Sequence, residues 1–159
     1  MKRNILRAAV AASLGLSGAA FAANVDVPFI GTVNNACTIT NSSDGALVLT
    51  GTNTITSNPS DGGTRAIVSV ACLGTGAISV ASPVAGTGAA ATLAVQSGYA
   101  SSADVYNAST GGSVIANSSG TTSIGSTSSN YYPHMSASIS GTIAPGTYNY
   151  TVAVTVTAE

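Results

Sequence analysis

Alternation of apolar and polar residues with period two is the dominant pattern of the chain after residue 22. It is clearest in residues 147–159 (TYNYTVAVTVTAE), which place five large side chains on one face: Tyr148, Tyr150, Val152, Val154 and Val156. Residues 135–143 (MSASISGTI) alternate in the same way. This period predicts extended strands that each bury one face.

Shorter runs with the same character occur throughout the chain, and Gly, Pro, Asn and Asp residues separate them. They predict further strands at residues 33–40, 46–50, 64–73, 77–82, 92–96, 105–107 and 113–116. Residues 117–130 are a Ser/Thr/Gly-rich tract that predicts a surface loop or an irregular edge. No segment after residue 22 has a helical period. The chain is therefore predicted to be an all-β sandwich or barrel.

The segment that precedes the first cysteine, residues 23–33, alternates strictly. Its apolar-face positions are Val25, Val27, Phe29, Gly31 and Val33. Such a strand needs a sheet to dock onto, and a segment at the start of a mature chain usually frays unless something holds it. The sequence pattern leaves open whether that sheet belongs to the same molecule or to a neighbour.

The first 22 residues predict a secretory signal peptide. Lys2, Arg3 and Arg7 precede a short apolar run, and Ala20-Phe21-Ala22 forms an A-x-A cleavage site. The alternative is a retained membrane anchor, but a spanning helix needs about 20 apolar residues and this run is shorter. Cleavage after Ala22 leaves 159 − 22 = 137 residues, which suits one exported domain.

Removal of the signal peptide changes the charge balance. The four basic residues fall to Arg65 alone while all five acids stay, so the mature formal charge is 1 − 5 = −4. A domain with one cation has no basic patch for phosphates, which argues against nucleic acid and anionic membranes as partners. Disorder is also disfavoured, because 45% of the residues are hydrophobic and only 6% are charged.

The two cysteines, Cys37 and Cys72, predict one disulfide because the chain is exported and their number is even. Such a crosslink stabilises a fold by about 4 kcal/mol in the chain-entropy model. Two buried free thiols or a metal pair are the alternatives. A metal would need more ligands, and the single histidine, His134, has no acid or cysteine cluster near it in sequence.

Candidate catalytic groups are sparse, so no enzyme, cofactor or metal is predicted. Asp44 and Asp61 could form a carboxylate pair, but both lie in turn sequences where an Asp side chain usually bonds its own backbone. His134 lies near serines without a G-x-S-x-G elbow. The adjacent Tyr131 and Tyr132 could stack on a sugar, although packing between a loop and a strand is the simpler interpretation.

Three stretches together resemble the pilin subunits of the chaperone–usher pathway, in particular the archaic type with a spore coat protein U-like domain. They are VDVPFIGTVNNAC at residues 25–37, a second cysteine one strand–loop–strand unit later, and PGTYNYTVAVTVTAE at residues 145–159. The resemblance covers most of residues 23–159. The charged middle region and the aromatic content of the family are thinned here.

The resemblance implies an incomplete immunoglobulin-like β-sandwich, residues 34–159, that lacks its final strand and carries an N-terminal donor strand, residues 23–33. The implied donor positions are Val25, Val27 and Phe29, with Gly31 and Val33 belonging either to the donor or to the body. The implied acceptor groove lies between the first strand, at Ile39, and the last strand, at Tyr148, Tyr150, Val152, Val154 and Val156.

The implied function is a fimbrial subunit that passes through the periplasm and forms a surface fibre for adhesion or biofilm formation. Its implied partners are identical subunits, a periplasmic chaperone and an outer-membrane usher; any surface receptor stays unidentified. The pilin family inserts a strand of one subunit into the next, a form of β-strand addition. The competing hypotheses are a monomeric carbohydrate-binding module or tip adhesin and a small secreted hydrolase.

Overall fold

A computed structural model describes residues 28, 30–32, 34–110, 112–126 and 128–159. The chain divides into two compact units, residues 1–32 and residues 33–159. The described residues of the first unit, 28 and 30–32, are exposed and have no regular secondary structure. The predicted signal peptide and the predicted donor positions Val25, Val27, Phe29 and Val33 lie outside the described residues.

The second unit is built almost entirely from short strands. In the described ranges these are β1 (Ala36–Ser43), β2 (Val48–Thr50), β3 (Thr54–Thr56), β4 (Ile67–Leu73), β5 (Gly76–Val80), β6 (Val84–Ala85), β7 (Ala100–Tyr106), β8 (Val114–Asn117), β9 (Thr121–Ile124), β10 (Ser128–Ser138), β11 (Tyr150–Thr151) and β12 (Val154–Ala158). A six-residue helix, α1 (Ala89–Ala94), and a 3-10 turn at Pro59–Asp61 complete the secondary structure.

The strands pair antiparallel in three sheets. The largest follows the order β1-β4-β10, with β7 and β8 on one side of β10 and β3 and β2 on the other. The second has the order β12-β5-β9, and the third pairs β11 with β6. Both β1 and β12 are edge strands of their sheets.

Strand β10 organises the large sheet, and its side chains alternate between the two faces. The strand predicted at residues 135–143 overlaps it only at residues 135–138. Tyr131 and Met135 are buried on the core face, while His134 is half-buried on the other face. The interior Pro133 has no N–H to donate, which normally excludes proline from a central strand. It is tolerated because β10 changes its partner here, from β4 at residues 128–131 to β3 at residues 136–138.

The core lies between the large sheet and the β12-β5-β9 sheet. It is formed by aliphatic side chains from both, among them Ile55, Val70, Ile78, Val105 and Ile139. Ile78 and Val105 are fully buried. Facing antiparallel sheets around one apolar core confirm the predicted all-β sandwich.

Three local predictions differ from the structure. Residues 92–96 were predicted as a strand, but the segment lies in and just after α1, whose Ala90 and Leu93 face the core at helical spacing. The tract 117–130, predicted as a surface loop or an irregular edge, contains the edge strand β9 and the start of β10. The predicted long last strand is divided into β11 and β12, because the chain changes partner from β6 to β5 between residues 151 and 154.

The disulfide is confirmed: Cys37 on β1 is bonded to Cys72 on β4, its direct partner in the register. A disulfide of this kind is typical of exported proteins. Across the part of the chain that the structure describes, no helix has the length and apolar character needed to cross a membrane.

Candidate strand-binding groove

A long open groove of about 1250 Å³ runs along one side of the sandwich. Its floor is the apolar core itself, contributed by Ile55, Val68 and Met135. Its two sides are formed by β1 and by the continuous segment 143–154. These floor side chains are at most 8% exposed, whereas two other apolar residues that line the groove are more exposed: Ile39 at 38% and Leu49 at 53%.

The first side, which we call the β1 edge, consists of Ile39 and Asn41. The Ala66 N–H, just before β4, donates to the Pro133 carbonyl of β10 (3.0 Å). By alternation, the even-numbered residues of β4 bond to β10 and its odd-numbered residues bond to β1. The register pairs those odd residues with Thr38 and Thr40. Ile39 and Asn41 therefore direct their backbone N–H and C=O groups away from β4, toward the groove.

The opposite side, the C-terminal edge, consists of Tyr150, Val152 and Val154. Asn149 accepts a hydrogen bond from the Gly86 N–H, and Ala153 accepts one from the Ala81 N–H, both at 2.8 Å. Odd-numbered residues of this segment therefore bond to β6 and β5. By alternation, the three residues of the C-terminal edge direct their backbone groups into the groove.

The two sides converge at one end of the groove, the narrow end. An added Cβ at Gly76 would lie 2.7 Å from the Cys37 Sγ and 3.0 Å from the Thr157 carbonyl oxygen, so β1, β5 and β12 are in contact there. Asn35 donates a side-chain hydrogen bond to the carbonyl of Glu159, which ties the start of β1 to the end of the chain. The lining residues stop at Ile39 and Val154, short of this contact.

At the other end, the mouth, the sides separate and polar groups appear. Asn41 donates to the Asp44 carboxylate (2.8 Å) on the β1 side. On the C-terminal side, the Tyr148 hydroxyl donates to the Ala144 carbonyl four residues upstream. A tyrosine bonded back to the backbone at the entrance to a late strand is a feature of immunoglobulin-like sandwiches.

Tyr150 presents a neutral phenol on the wall of the groove. Burial raises the pKa of its hydroxyl far above the ordinary value, and the neighbouring Tyr99 phenol adds to the shift. Leu49, on β2, also lines the groove and is 53% exposed. The walls therefore offer large uncharged surfaces, apart from Asp44 at the mouth.

Five of the six predicted acceptor positions line this one groove: Ile39, Tyr148, Tyr150, Val152 and Val154. Val156 lies beyond them on β12, where it pairs with Ile78 and packs against the core. Gly31, the one predicted donor position within the described residues, is exposed. Sequence reasoning missed Asn41, Leu47, Ile55 and Met135, because no local signal shows which distant strands share a groove.

The titratable groups on the outer face of the large sheet cluster around His134, a residue that also borders the groove. Its Nε2 is 3.0 Å from the Thr56 hydroxyl, its Nδ1 is 3.9 Å from the Asp104 carboxylate, and its ring meets Tyr106 edge-on. Arg65 stacks on Tyr106 at 3.6 Å and donates to the carbonyls of Ala108 and Ser109. These contacts occupy His134 and Arg65 in holding β3, β7 and β10 together with the loop that follows β7.

The sugar-stacking interpretation of the adjacent tyrosines is not supported by their positions. Tyr131 is buried in the core and only Tyr132 reaches the other face of β10. The two rings therefore do not form one exposed platform. Among the described residues, no group of three or more His, Cys, Asp or Glu side chains could hold a metal ion.

Comparison of the chain with family models, curated proteins and solved structures gave no match.

Proposed function

We propose that this protein is a fimbrial subunit that polymerises by strand addition, with the segment 23–33 of one subunit supplying the strand that enters the groove of the next. The supporting observation is that unpaired backbone groups and accessible apolar surface occur in the same groove. Backbone groups of Ile39, Asn41 and the C-terminal edge point into the same groove in which the apolar side chains of Ile39 and Leu49 are exposed. A single added strand would satisfy both.

The chemistry of the groove fits a strand better than a small ligand. Unpaired strand edges are templates for pairing with another chain, and an apolar groove accepts the side chains of an added strand at every second residue. Residues 23–33 provide that alternation, with valine and phenylalanine on one face. Among the described residues of this segment, Ile30 is 94% exposed.

Polymerisation follows from the type of contact. A strand from one end of a subunit bound in a groove of another is a head-to-tail interface, and such an interface generates a filament when its rotation does not close a ring. Together with polymerisation we propose the exported route and a place at the cell surface. We also propose a periplasmic chaperone that covers the groove before assembly and an outer-membrane usher. They rest on the resemblance and on the disulfide.

Deletion of residues 23–30 tests the proposal while leaving the signal peptide and the sandwich intact. We expect the truncated protein to be exported and to bind the chaperone but to give no fibres in electron micrographs of sheared surface material. Val27→Asp should have the same effect, because it places a carboxylate in an apolar site. Ile30→Asp, which adds the same group on the opposite face, is the matched control and should still form fibres.

Fibres from the deletion variant at the yield of the unaltered chain would overturn the proposal. So would a full-length chain that stays a soluble monomer after export together with its chaperone and usher.

A further inference from the structure

We propose that, within the function above, the donor strand pairs only through residues 24–29, with Val25, Val27 and Phe29 opposite Val154, Val152 and Tyr150, and that residues 30–35 are the linker to the donor's own body. This register rests on the proposed function. It is fixed by the shape of the groove, by the direction of its edges and by the position of Pro28.

The direction of the donor follows from the wedge shape of the groove. The narrow end is blocked by the contact of Cys37, Gly76 and Thr157, whereas the mouth is open between Asp44 and Thr147. A donor strand is joined to its own subunit through its C-terminal end, so that end must leave through the mouth. The donor therefore runs parallel to β1 and antiparallel to the C-terminal edge.

The hydrogen-bond pattern then assigns each face of the donor to one edge. In an antiparallel pair, hydrogen-bonded residues have side chains on the same face. Tyr150, Val152 and Val154 pack toward the core and direct their backbone groups into the groove. They consequently pair with the core-facing donor residues, of which three fit this edge: Val25, Val27 and Phe29.

The side chains of Asn24, Asp26 and Pro28 point away from the core. The backbone groups of these three residues point toward the β1 edge, with which the donor pairs in parallel. Pro28 cannot donate a backbone hydrogen bond. In this register Pro28 lies toward the mouth, so the missing N–H falls near the end of the β1 edge, where Asn41 is exposed. The β1–β4 register also shifts after Asn41, so the regular ladder ends at the same point.

Side-chain size gives an independent reason for the same register. It places Val25 toward the narrow end and the larger Phe29 at the mouth, near the partly exposed Leu49. Moving the donor two residues deeper would bring Phe29 to the middle of the groove and Gly31 to the Tyr150 position. Gly31 would leave that part of the apolar floor uncovered, since glycine has no side chain.

Inter-subunit disulfide trapping in assembled fibres tests the register directly. Val27→Cys combined with Val152→Cys should give a ladder of covalent multimers on a non-reducing gel, and reductant should remove it. Phe29→Cys with Val152→Cys and Gly31→Cys with Val152→Cys are shifted by two and four residues and should give none. The native Cys37–Cys72 bond stays in every variant.

A ladder from either shifted pair, with none from the Val27 pair, would overturn the register while leaving strand addition in place. A crosslink that forms only within a monomer would contradict the proposed function itself, because the segment would then fill its own groove. These two failures are distinguished by the mass of the trapped species.

Single-residue insertions provide a test that needs no new cysteine. An alanine inserted between Asp26 and Val27 reverses the faces of part of the paired strand and should lower fibre yield by about tenfold or more. The same insertion between Thr32 and Val33 lies in the linker and should leave the yield within about twofold. The reverse outcome, or equal tolerance of both insertions in a chain that still requires residues 23–30, would contradict the register.

Discussion

His134 shows how a single residue couples the outer sheet face to pH. Burial lowers the pKa of its imidazole below 6.5; the Asp104 and Asp61 carboxylates oppose this shift, and Arg65 adds to it. The side chain is only 12% exposed and contacts Thr56 and Tyr106. A proton is therefore bound more weakly in the folded state than in the unfolded state.

The sign of the pH dependence follows from linkage. Above the unfolded pKa both states are neutral, and as the pH falls through about 6.5 only the unfolded state gains the proton, so stability falls. The free energy of unfolding should decrease between pH 7.5 and 5.5 by no more than about 1.4 kcal/mol per pH unit for this one group. Urea denaturation at several pH values measures it.

His134→Gln, which keeps a side chain able to hydrogen-bond to Thr56, is the matched control and should have a flatter profile over the same pH range. An identical pH dependence in the two proteins would mean that other groups cause the loss of stability.

At the scale of elements, the disulfide matters because it fastens an edge strand. Strand β1 is paired on one side only, with β4, and it supplies one side of the groove. Cys37 and Cys72 join these two strands at the narrow end, across a sequence separation of 35 residues. Loss of this crosslink therefore affects both the stability of the sandwich and the position of the β1 edge.

Cys37→Ala combined with Cys72→Ala should lower the free energy of unfolding by about 4 kcal/mol in the chain-entropy model. Fibre yield should fall as well, because an edge strand that opens removes the partner of Asn24 and Asp26 of the incoming donor. Thr38→Ala, at the next position of β1 on the exposed face, is the control and should change stability by less than about 0.5 kcal/mol. A loss below about 1 kcal/mol in the cysteine variant would contradict the assigned role.

The sequence predicted an element well where the signal for that element lay in neighbouring residues or in composition. The alternation at the end of β10, residues 135–138, and the Cys37–Cys72 pair were predictable, because period two and an even cysteine number are local or compositional signals. Helix α1 was not, since its six residues AAATLA are too short for a period and have no side-chain cap. Its helical form follows from burial of Ala90 and Leu93, which is a tertiary effect.

The candidate groove was predictable in part for the same reason. Apolar alternation in residues 147–159 marked its C-terminal edge. The sequence did not indicate Met135 or Ile55 as its floor, because no local signal shows which distant strands share a groove. Nor did it indicate the break between β11 and β12, which arises where the chain changes from one partner strand to another.

The whole molecule is unusual in its scarcity of charge, and this has a consequence for the proposed fibre. After removal of residues 1–22 the only basic side chain is Arg65, which is 7% exposed and engaged with Tyr106 and two carbonyls. The remaining acids are distributed singly along the chain. An interface between such subunits has almost no ion pairs and is held by apolar burial and backbone hydrogen bonds.

Fibres should therefore resist changes in ionic strength. Between about 0.01 M and 1 M salt the screening length falls from about 30 Å to about 3 Å, which weakens interfaces held by surface charge. Apolar burial is unaffected or strengthened by sulfate. We expect the temperature at which fibres dissociate to stay constant in sodium chloride and to rise in sodium sulfate, as measured by light scattering, with urea as the control that lowers it. Dissociation promoted by sodium chloride alone would mean that charged contacts hold the subunits together, which an inserted apolar strand does not predict.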